Sequence, residues 1–308
     1  MTEPPRGERP EGETWRADPL GRSRHSRLDA EVSRPAADFD EERAAALCGE
    51  ITRNLLGDFA PALLLLPAAE RRRAQALLAH AATLFDFARQ TGSEGEKLAQ
   101  INRWEFTLEA ALSGQPVGQP IFVRLARENE RRRWPPDALD ELAAAARRRA
   151  TRRQPATVAD AEIEALSLGR AVAAALLAGS LTAEIDGLAS ALVRLGALQH
   201  LGSEIAGRRC PLPATEVVES HDGSYDREQV LAAARRECAR LRARLLRAPR
   251  GLVGLPAGYR RAALFALLAA LRLLSEIEDP ETDLLHAPPR LGLIARLGLL
   301  LRARWVGR

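Results

Sequence analysis

The chain lacks most of the residues that would point to a disulfide-stabilised, zinc-binding or β-rich protein. Its three cysteines, Cys48, Cys210 and Cys238, are odd in number and form no Cys-x-x-Cys pair. They argue against a disulfide framework or a zinc site and are typical of a reducing compartment. Aromatic residues make up only 4% of the chain, and few segments have the alternating β-branched pattern of strands. Because Ala, Leu and Arg dominate instead, the composition predicts an all-α protein.

Long apolar runs are also missing. No segment reaches the roughly 18 to 20 apolar residues that a membrane-spanning helix requires, and the N-terminus has no apolar core of the signal-peptide type. The longest apolar stretch, residues 59–69, is short and contains Pro61 and Pro67. We therefore expect a cytoplasmic protein, either free in solution or peripheral to the membrane.

Neither sign of charge dominates the chain. Lys and Arg total 45 against 41 for Asp and Glu, which gives a formal net charge of +4. Arginine runs at 71–73, 131–133 and 147–149 lie between acids or inside helical patterns, and no recognisable nucleic-acid-binding module surrounds them. We interpret them as a usage bias over solvated helix faces and expect no nucleic-acid partner.

The sequence pattern divides the chain into a tail and one domain. Residues 1–38 are rich in Pro, Arg, Glu and Gly and contain few large apolar side chains. Because such a segment buries too little surface to offset its ordering entropy, we predict a disordered tail. Residues 39–308 read as a series of helices separated by Gly and Pro, and we predict that they form a single helical domain.

Local signals predict the helix boundaries. Ser93 with Glu96, and Thr157 with Asp160, have the spacing of capping boxes. Residues 207–225 combine Gly, Pro, Asp and Ser and are typical of a loop. Together with the Gly and Pro breaks, these signals predict helices at 40–56, 68–89, 93–112, 120–134, 135–153, 157–178, 181–201, 226–246, 256–278 and 291–305.

The last predicted helix, residues 291–305, has two interpretations. One side is apolar, and Arg296, Arg302 and Arg304 are interspersed along it. A peripheral membrane contact at the lipid interface would have this pattern. A C-terminal helix docked on the body of the domain would have the same pattern. We prefer the docked helix and keep the membrane contact as the alternative.

Nine short segments within residues 50–305 form a recognisable series. They are LLLLP at 63–67, ALLA at 76–79, WE at 104–105, ALSG at 111–114, PIF at 120–122, GR at 169–170, LGALQ at 195–199, GR at 207–208 and LP at 212–213. In order and spacing they resemble the squalene/phytoene synthase family, and most closely the squalene synthase branch found with bacterial hopanoid pathways. The resemblance implies an isoprenoid-synthase-like fold, in which one helical domain surrounds a central cavity.

The resemblance also implies a chemistry. Members of the family condense two prenyl diphosphates head to head, and Mg²⁺ ions hold the diphosphate that leaves. Two helices supply carboxylates to the metal, one through a D-D-x-x-D signature and the other through a D-x-x-x-D signature. Acids four residues apart share a helix face and can therefore aim at one metal cluster.

The first acidic signature is degenerate in this chain. Its five positions read Phe85, Asp86, Phe87, Ala88 and Arg89. Phe85 and Arg89 occupy the two positions, four apart, that the family fills with carboxylates. Asp86 remains, but it points about a quarter turn away from their face.

The second acidic signature is absent. After Gln199 only residues 200–206 precede the Gly-Arg pair that ends in Arg208, and Glu204 is the one acid left. By comparison with the family, about two helical turns and their aspartates are missing. Arg149 also stands where the family often has an aspartate. We therefore predict no metal site and no catalytic residue, and a need for Mg²⁺ only if the chain is an active enzyme.

Arginine can take over part of the role of the metal. A guanidinium carries a permanent positive charge and pairs bidentately with phosphate. Arg89, Arg170 and Arg208 lie at or near family motifs and are the candidate phosphate-binding residues. The resulting hypothesis is a metal-free pocket that binds an isoprenoid or lipid phosphate without turning it over.

A simpler alternative needs no ligand. Arg89 would pair at the surface with Glu94 or Glu96, which follow it closely in the sequence. Phe85 and Phe87 would then fill the space that the family uses as a cavity. This alternative is preferred to the pocket at this stage.

Three functions remain open. The leading one is a degenerate, non-catalytic family member that binds a prenyl diphosphate or lipid, or assists an active relative in isoprenoid or hopanoid biosynthesis. The second is an active Mg²⁺-dependent prenyltransferase that condenses two farnesyl or geranylgeranyl diphosphates through Asp86, Glu204 and other acids. The third is a helical scaffold or interaction protein, for which we expect a filled cavity and an exposed apolar patch.

Overall fold

The computed structural model describes residues 41–177 and 181–306, and helices are the only extended elements in those ranges. The all-α prediction is therefore confirmed, whereas the tail predicted at 1–38 lies outside the described residues. The elements are α1 (Glu41–Leu56), a 3₁₀ helix (Gly57–Leu65), α2 (Ala68–Arg89), α3 (Glu94–Leu112), α4 (Pro120–Arg131), α5 (Pro136–Thr151), α6 (Val158–Leu177), α7 (Ala183–Gln199), α8 (Leu201–Ala206), α9 (Arg227–Leu245), α10 (Pro249–Leu252), α11 (Ala257–Glu278) and α12 (Leu293–Val306).

Both predicted capping boxes are present at helix starts. Before α3, the Glu96 amide donates to Ser93 Oγ at 3.2 Å, and the Ser93 amide donates to Glu96 Oε2 at 2.7 Å. Before α6, the Asp160 amide donates to Thr157 Oγ1 at 3.1 Å, and the Thr157 amide donates to Asp160 Oδ2 at 2.9 Å. These reciprocal bonds satisfy amide groups that have no partner inside the helix.

Some predicted helix ends are wrong, and for α4 the reason is a side chain that turns back into the core. The helix expected to reach Trp134 ends at Arg131, and the indole of Trp134 donates from Nε1 to the Leu125 carbonyl at 3.0 Å. The helix expected at 181–201 ends at Gln199, where the separate short helix α8 follows. The end of the helix predicted to reach residue 178 lies outside the described residues.

The connection between α1 and α2 is itself helical. Gly57 follows the end of α1 and adopts a φ of +52°, a left-handed conformation that glycine tolerates. Gly57 and the next eight residues form the 3₁₀ helix, with Pro61 inside it. Short 3₁₀ stretches are common as connectors next to α-helices.

Two large clusters of buried apolar side chains and a small third one, Leu63, Leu66 and Ala74, form the core, and α6 contributes to both large clusters. The first cluster is built on α7, α9 and α11 and includes Leu195 and Phe265. The second is built on α2, α3, α4 and α5 and includes Phe122. The small residues of α6 serve both clusters, Ala173 the first and Ala171 and Ala175 the second.

Close contact between α6 and α7 depends on Gly169. A Cβ atom at this position would lie 2.8 Å from the backbone carbon of Ala189 and 2.8 Å from the backbone nitrogen of Ser190. Because real Cβ contacts are longer, the two helices pack this closely only around a glycine. This packing fixes α7, whose last residue is Gln199, against the rest of the domain.

The C-terminal helix α12 docks on the domain by one face. Ala303 is fully buried, and Leu299 and Leu300 pack against the first core cluster. The helix contacts α11 and the 3₁₀ helix. The docked interpretation is therefore confirmed for this face. Among the described helices, none combines the length and apolar character needed to cross a membrane.

Candidate functional site

Residues of both core clusters line a cavity of about 510 Å³. This volume lies in the range of pockets that bind small molecules. The predicted central cavity is therefore present in the described part of the chain. Its apolar wall includes Phe59, Leu63, Leu78, Phe85, Leu168, Val172, Leu188, Leu192 and Leu255.

The two phenylalanines of the degenerate signature do not fill this cavity. Phe85 forms part of its wall. Phe87 lies outside the lining and packs edge-on against the ring of Trp104, with 5.5 Å between ring centroids. The expectation that Phe85 and Phe87 would occupy the space is therefore wrong, and so is the filled cavity expected for a scaffold.

Charged side chains converge on one buried carboxylate at the boundary of the cavity. Arg89 and Arg149 line the cavity, and both reach Glu204. Arg89 Nε lies 3.0 Å from Glu204 Oε1, and Arg149 Nη2 lies 2.7 Å from Glu204 Oε2. Arg209 approaches the same carboxylate, with 3.6 Å between its Nε and Glu204 Oε2. We call Arg89, Arg149 and Arg209 the guanidinium cluster.

Three helices bring these groups together. Arg89 is the last residue of α2, Arg149 lies in the last turn of α5, and Glu204 lies in α8. The ends of α2 and α5 carry exposed carbonyl groups, which favour nearby cations. Arg209 is such a cation at the end of α2, because its Nη1 and Nη2 donate hydrogen bonds to the Ala88 and Arg89 carbonyls at 2.5 and 2.8 Å.

The surroundings keep Glu204 ionised. Its side chain is only 5% exposed, and burial alone would raise the pKa of the carboxyl. The guanidinium groups of Arg149 and Arg89 outweigh this effect and lower the pKa below its ordinary 4.5. Burial and the positive charge of Arg89 lower the pKa of His200 below 6.5, so that His200 is neutral at pH 7. Three positive charges therefore face one negative charge in this region.

The guanidinium cluster also borders a second, smaller space and has unused donor capacity. A cavity of about 220 Å³ is lined by Arg89, His200, Ser203, Glu204, Gly207 and Arg209. Within the described residues, Arg149 Nε is buried and has no hydrogen-bond partner. A buried donor without a partner costs about 1–3 kcal/mol. An anion with several oxygens would offset this cost and the excess positive charge.

The structure brings together only some of the residues singled out from the sequence. Gln199 and Phe85 line the larger cavity, and Arg89 and Glu204 meet at its boundary. Asp86 lies outside the lining of both cavities. Glu204, by contrast, lines the smaller cavity.

Two of the three candidate phosphate-binding arginines lie elsewhere. Arg170 is 60% exposed, and its Nη2 pairs with Asp186 Oδ2 at 2.6 Å, outside the lining of either cavity. Arg208 is exposed and adopts a left-handed backbone with a φ of 56°. This turn after α8 places the next residue, Arg209, at the site instead. Of the three arginines, Arg89 is the one that lines the cavities among the described residues.

The predicted ion pair of Arg89 is also corrected. Arg89 pairs with Glu204, which lies far away in the sequence, rather than with Glu94 or Glu96. Glu96 is engaged in the capping box with Ser93. Closeness in sequence therefore did not predict the partner of Arg89, because the Glu96 carboxylate accepts a hydrogen bond from the Ser93 amide at the start of α3.

Sequence reasoning missed two members of the guanidinium cluster. Arg149 was noted as a departure from the family and received no role, although it reverses charge in the same way as Arg89. Two such exchanges of an acid for an arginine are a signal that could have linked these positions. Arg209 gives no such signal, because only the turn at Arg208 brings it inward.

The residues at this site do not fit Mg²⁺. This ion requires near-octahedral coordination by oxygens, which one or two carboxylates usually supply together with waters and substrate phosphates. Glu204 is the only acid that lines the smaller cavity, and both of its oxygens face guanidinium groups. Within residues 41–177 and 181–306, no group of three or more His, Cys, Asp or Glu side chains is placed to hold a metal.

Comparison with known families agrees with the fold. The model of the family described as "Squalene/phytoene synthase" matches residues 57–295, which is most of the chain. The chain belongs to the squalene/phytoene synthase family. No curated protein sequence matches it. Family membership therefore rests on a match that includes α2, α5 and α8, the helices that carry Arg89, Arg149 and Glu204.

Solved structures of family members share this architecture. A dehydrosqualene synthase solved in complex with ligand superposes with a TM-score of 0.70 at 15% identity, covering 86% of this chain and 97% of that one. Squalene synthase HpnC from Alicyclobacillus acidocaldarius superposes with a TM-score of 0.62 at 18% identity, and the match covers 79% of this chain and 95% of that one. YisP from Bacillus subtilis subsp. subtilis strain 168 superposes with a TM-score of 0.58 at 14% identity, and the match covers 88% of this chain and 100% of that one. At these identities, the comparisons show the isoprenoid-synthase fold alone.

Proposed function

We propose that this family member binds a prenyl diphosphate, or a closely related isoprenoid phosphate, without Mg²⁺ and without turning it over. The apolar cavity would hold the prenyl chain, and the guanidinium cluster would hold the phosphate groups. The observation that carries the proposal is the convergence of Arg89 and Arg149 at the boundary of a 510 Å³ apolar cavity.

Charge and geometry favour an anion with several oxygens. A diphosphate carries multiple negative charges, which a low-dielectric cavity disfavours strongly unless they are neutralised. The guanidinium cluster supplies three permanent cations, and Glu204 neutralises one of them. Arginine donors match phosphate oxygens bidentately, so two arginines can engage one phosphate group without a metal.

The proposed lack of turnover follows from the ligands that remain. Release of diphosphate in this family depends on Mg²⁺ held between two sets of acids, and one carboxylate surrounded by guanidinium groups offers no such set. Arg89 and Arg149 already pair with Glu204. They would hold the ligand without the additional metal charge that the family uses to stabilise the departing diphosphate.

A calorimetric titration with farnesyl diphosphate tests the binding part of the proposal. We expect saturable binding in the presence of a chelator and the same affinity, within error, after Mg²⁺ is added. Farnesol, which lacks the phosphates, should bind more weakly by about tenfold or more. The absence of saturable binding to the native chain would contradict the proposal.

Arg89 and Arg170 form a matched pair of variants for this titration. Arg89→Gln should weaken farnesyl diphosphate binding by about 10- to 100-fold, because a hydrogen bond to a charged group contributes about 1.5–3 kcal/mol. Arg170→Gln also removes an ion-paired arginine, but from outside the cavities, and should leave the affinity unchanged. Equal losses in both variants would show that the effect is not specific to the site.

A further inference from the structure

The outer face of α12 carries a row of exposed apolar side chains. We call Leu293, Ile294, Leu297, Leu301 and Trp305 the apolar stripe; they are 68, 86, 51, 58 and 67% exposed. From Ile294 onward they are spaced three, four and four residues apart, so they lie on one side of the helix. Single exposed apolar residues are ordinary, whereas a continuous row on one helix usually marks an interaction surface.

This stripe is distinct from the face that holds α12 on the domain. The docked face contains Leu299, Leu300 and the fully buried Ala303. At 100° per residue, Leu299 and Leu301 point about 160° apart around the helix axis. The helix is thus apolar on two sides, and its packing on the domain accounts for only one of them.

The charge around the stripe favours an anionic partner. Residues 287–308 contain five arginines and no aspartate or glutamate. Relative to Leu301, Arg302 is rotated about 100° in one direction and Arg304 about 60° in the other. Both side chains are exposed and flank the stripe. Arginines beside apolar residues, with a tryptophan at the end of the row, are typical of helices that lie in a lipid–water interface.

The same charges disfavour a second copy of the chain as the partner. A two-fold interface would bring the same surface of each protomer together. Two α12 helices would then face one another with Arg302 and Arg304 on each side, and the helix carries no acid to compensate. Anionic lipid headgroups have no such difficulty.

The helix that carries the apolar stripe packs against an element that lines the larger cavity. α12 packs against the 3₁₀ helix Gly57–Leu65. Phe59, Ala62 and Leu63 of that helix line the 510 Å³ cavity. A surface on which α12 rests would therefore be close to one wall of the cavity.

We infer that the apolar stripe of α12, flanked by Arg302 and Arg304, is a docking surface for the anionic headgroup region of a lipid bilayer. The apolar side chains insert at the level of the acyl boundary, and the arginines contact lipid phosphates. The helix lies in the plane of the membrane while its docked face keeps the domain attached. This inference does not depend on which ligand the cavity binds.

Co-sedimentation of the full chain with lipid vesicles tests this inference. We expect binding to vesicles of phosphatidylcholine mixed with phosphatidylglycerol, weaker binding to phosphatidylcholine alone, and a decrease as salt screens the arginines. The triple variant Ile294→Gln, Leu297→Gln, Leu301→Gln should bind about a hundredfold or more weakly, since three apolar side chains no longer leave water. Arg302→Gln with Arg304→Gln should remove the preference for the anionic lipid.

A matched triple variant controls for general surface hydrophobicity. Phe106, Ile163 and Val253 are 74, 64 and 73% exposed and lie on other elements. Phe106→Gln, Ile163→Gln, Val253→Gln should leave vesicle binding unchanged. The native Trp305 also gives a direct readout, because its fluorescence should be quenched by spin-labelled lipids placed near the acyl boundary and a Trp305→Phe variant should lose that quenching.

Two outcomes would overturn the inference. One is equal vesicle binding by the native chain and the Ile294/Leu297/Leu301 variant, or no binding to anionic vesicles at all. The other is a dimer that dissociates in the stripe variant in sedimentation equilibrium, which would assign the surface to a second copy. Binding of farnesyl diphosphate measured without vesicles should be the same in native and stripe variants, so that failure here is distinguishable from failure of the ligand-binding proposal.

Discussion

At the residue scale, the site is defined by the exchange of carboxylates for arginines. Arg89 stands where the family has an acid, and Arg149 stands where it often has one. Both face Glu204 in the structure. The sequence showed the two exchanges but not their common partner, because Glu204 reaches them only through the folding of three helices. The motifs predicted that Arg89 and Arg149 are positively charged where the family has acids. They did not predict that both arginines pair with Glu204.

Glu204 competes with any anion for the guanidinium cluster. Replacing it by Gln removes the negative charge while keeping the side-chain shape. We expect farnesyl diphosphate to bind about tenfold more tightly, because the three guanidinium groups are released for the ligand. The free energy of unfolding of the unliganded protein should fall by about 2 kcal/mol, since the guanidinium groups lose their buried partner but are partly hydrated.

A second buried glutamate provides the control for this variant. Glu128 is 4% exposed and pairs with Arg124 and Arg131, away from both cavities. Glu128→Gln should lower the free energy of unfolding in urea without changing the affinity for farnesyl diphosphate. Weaker ligand binding by Glu204→Gln would show that the carboxylate helps the ligand rather than competing with it.

His80 should make the stability of the protein depend on pH. It is fully buried, and its Nδ1 accepts a hydrogen bond from Trp104 Nε1 at 2.9 Å. Burial lowers the pKa of His80 from 6.5 to about 3. The unfolded chain therefore takes up this proton first, and stability is lost as the pH falls below the unfolded value. We expect about 2 kcal/mol of loss from this residue between pH 7 and pH 5.

Urea unfolding of native protein and a His80→Gln variant at the two pH values measures this loss. The amide oxygen of Gln can still accept from Trp104, but the residue does not titrate. The decrease in the free energy of unfolding from pH 7 to pH 5 should be about 2 kcal/mol smaller in the variant. An identical decrease in both proteins would mean that folding does not lower the pKa of His80.

At the element scale, local signals predicted helices well and their ends less well. The two capping boxes confirm the starts of α3 and α6, because each is satisfied by residues only three apart. The end of α4 depends instead on Trp134, which turns back to bond the Leu125 carbonyl. Tertiary packing determines this helix end, and no local sequence pattern predicts it.

The helix α7 offers a direct test of the cavity as the site for a prenyl chain. Gly196 lines the cavity, and a Cβ atom there would meet nothing within 4 Å. A Gly196→Leu side chain should therefore enter the cavity and lower the affinity for farnesyl diphosphate by about tenfold or more. Stability should be kept or increased, since glycine is unfavourable inside a helix by about 1 kcal/mol.

Gly187 is the matched position on the same helix. A Cβ atom there also meets nothing within 4 Å, and the residue does not line the cavity. Gly187→Leu should raise stability in the same way and leave ligand affinity unchanged. If both variants bind farnesyl diphosphate as the native chain does, the prenyl chain does not occupy the cavity.

At the scale of the whole molecule, the order of the motifs carried more information than any one of them. The segments from 63–67 to 212–213 predicted the family and the fold, and the family match over residues 57–295 agrees. The state of the cavity was predicted wrongly, because the positions of Phe85 and Phe87 depend on rotations that the motif does not encode. The degenerate signatures therefore left an open cavity with arginines at its boundary.

The C-terminal helix shows how two interpretations of one pattern can apply to two faces. The sequence of residues 291–305 predicted either a docked helix or a membrane contact. The structure docks one face through Leu300 and Ala303 and leaves Ile294 and Leu301 exposed on another. Composition alone could not separate these faces, since both contain apolar residues. The vesicle experiments test the exposed one.

The central claim is that guanidinium groups, rather than Mg²⁺, hold a diphosphate that stays intact. Phosphorus NMR of farnesyl diphosphate with a stoichiometric amount of the full chain tests it most directly, first with a chelator and then after prolonged incubation with excess Mg²⁺. We predict shifted and broadened phosphate resonances already in the chelator, and no inorganic diphosphate after Mg²⁺ is added. Unperturbed resonances in the chelator, or inorganic diphosphate accumulating once Mg²⁺ is present, would contradict the account.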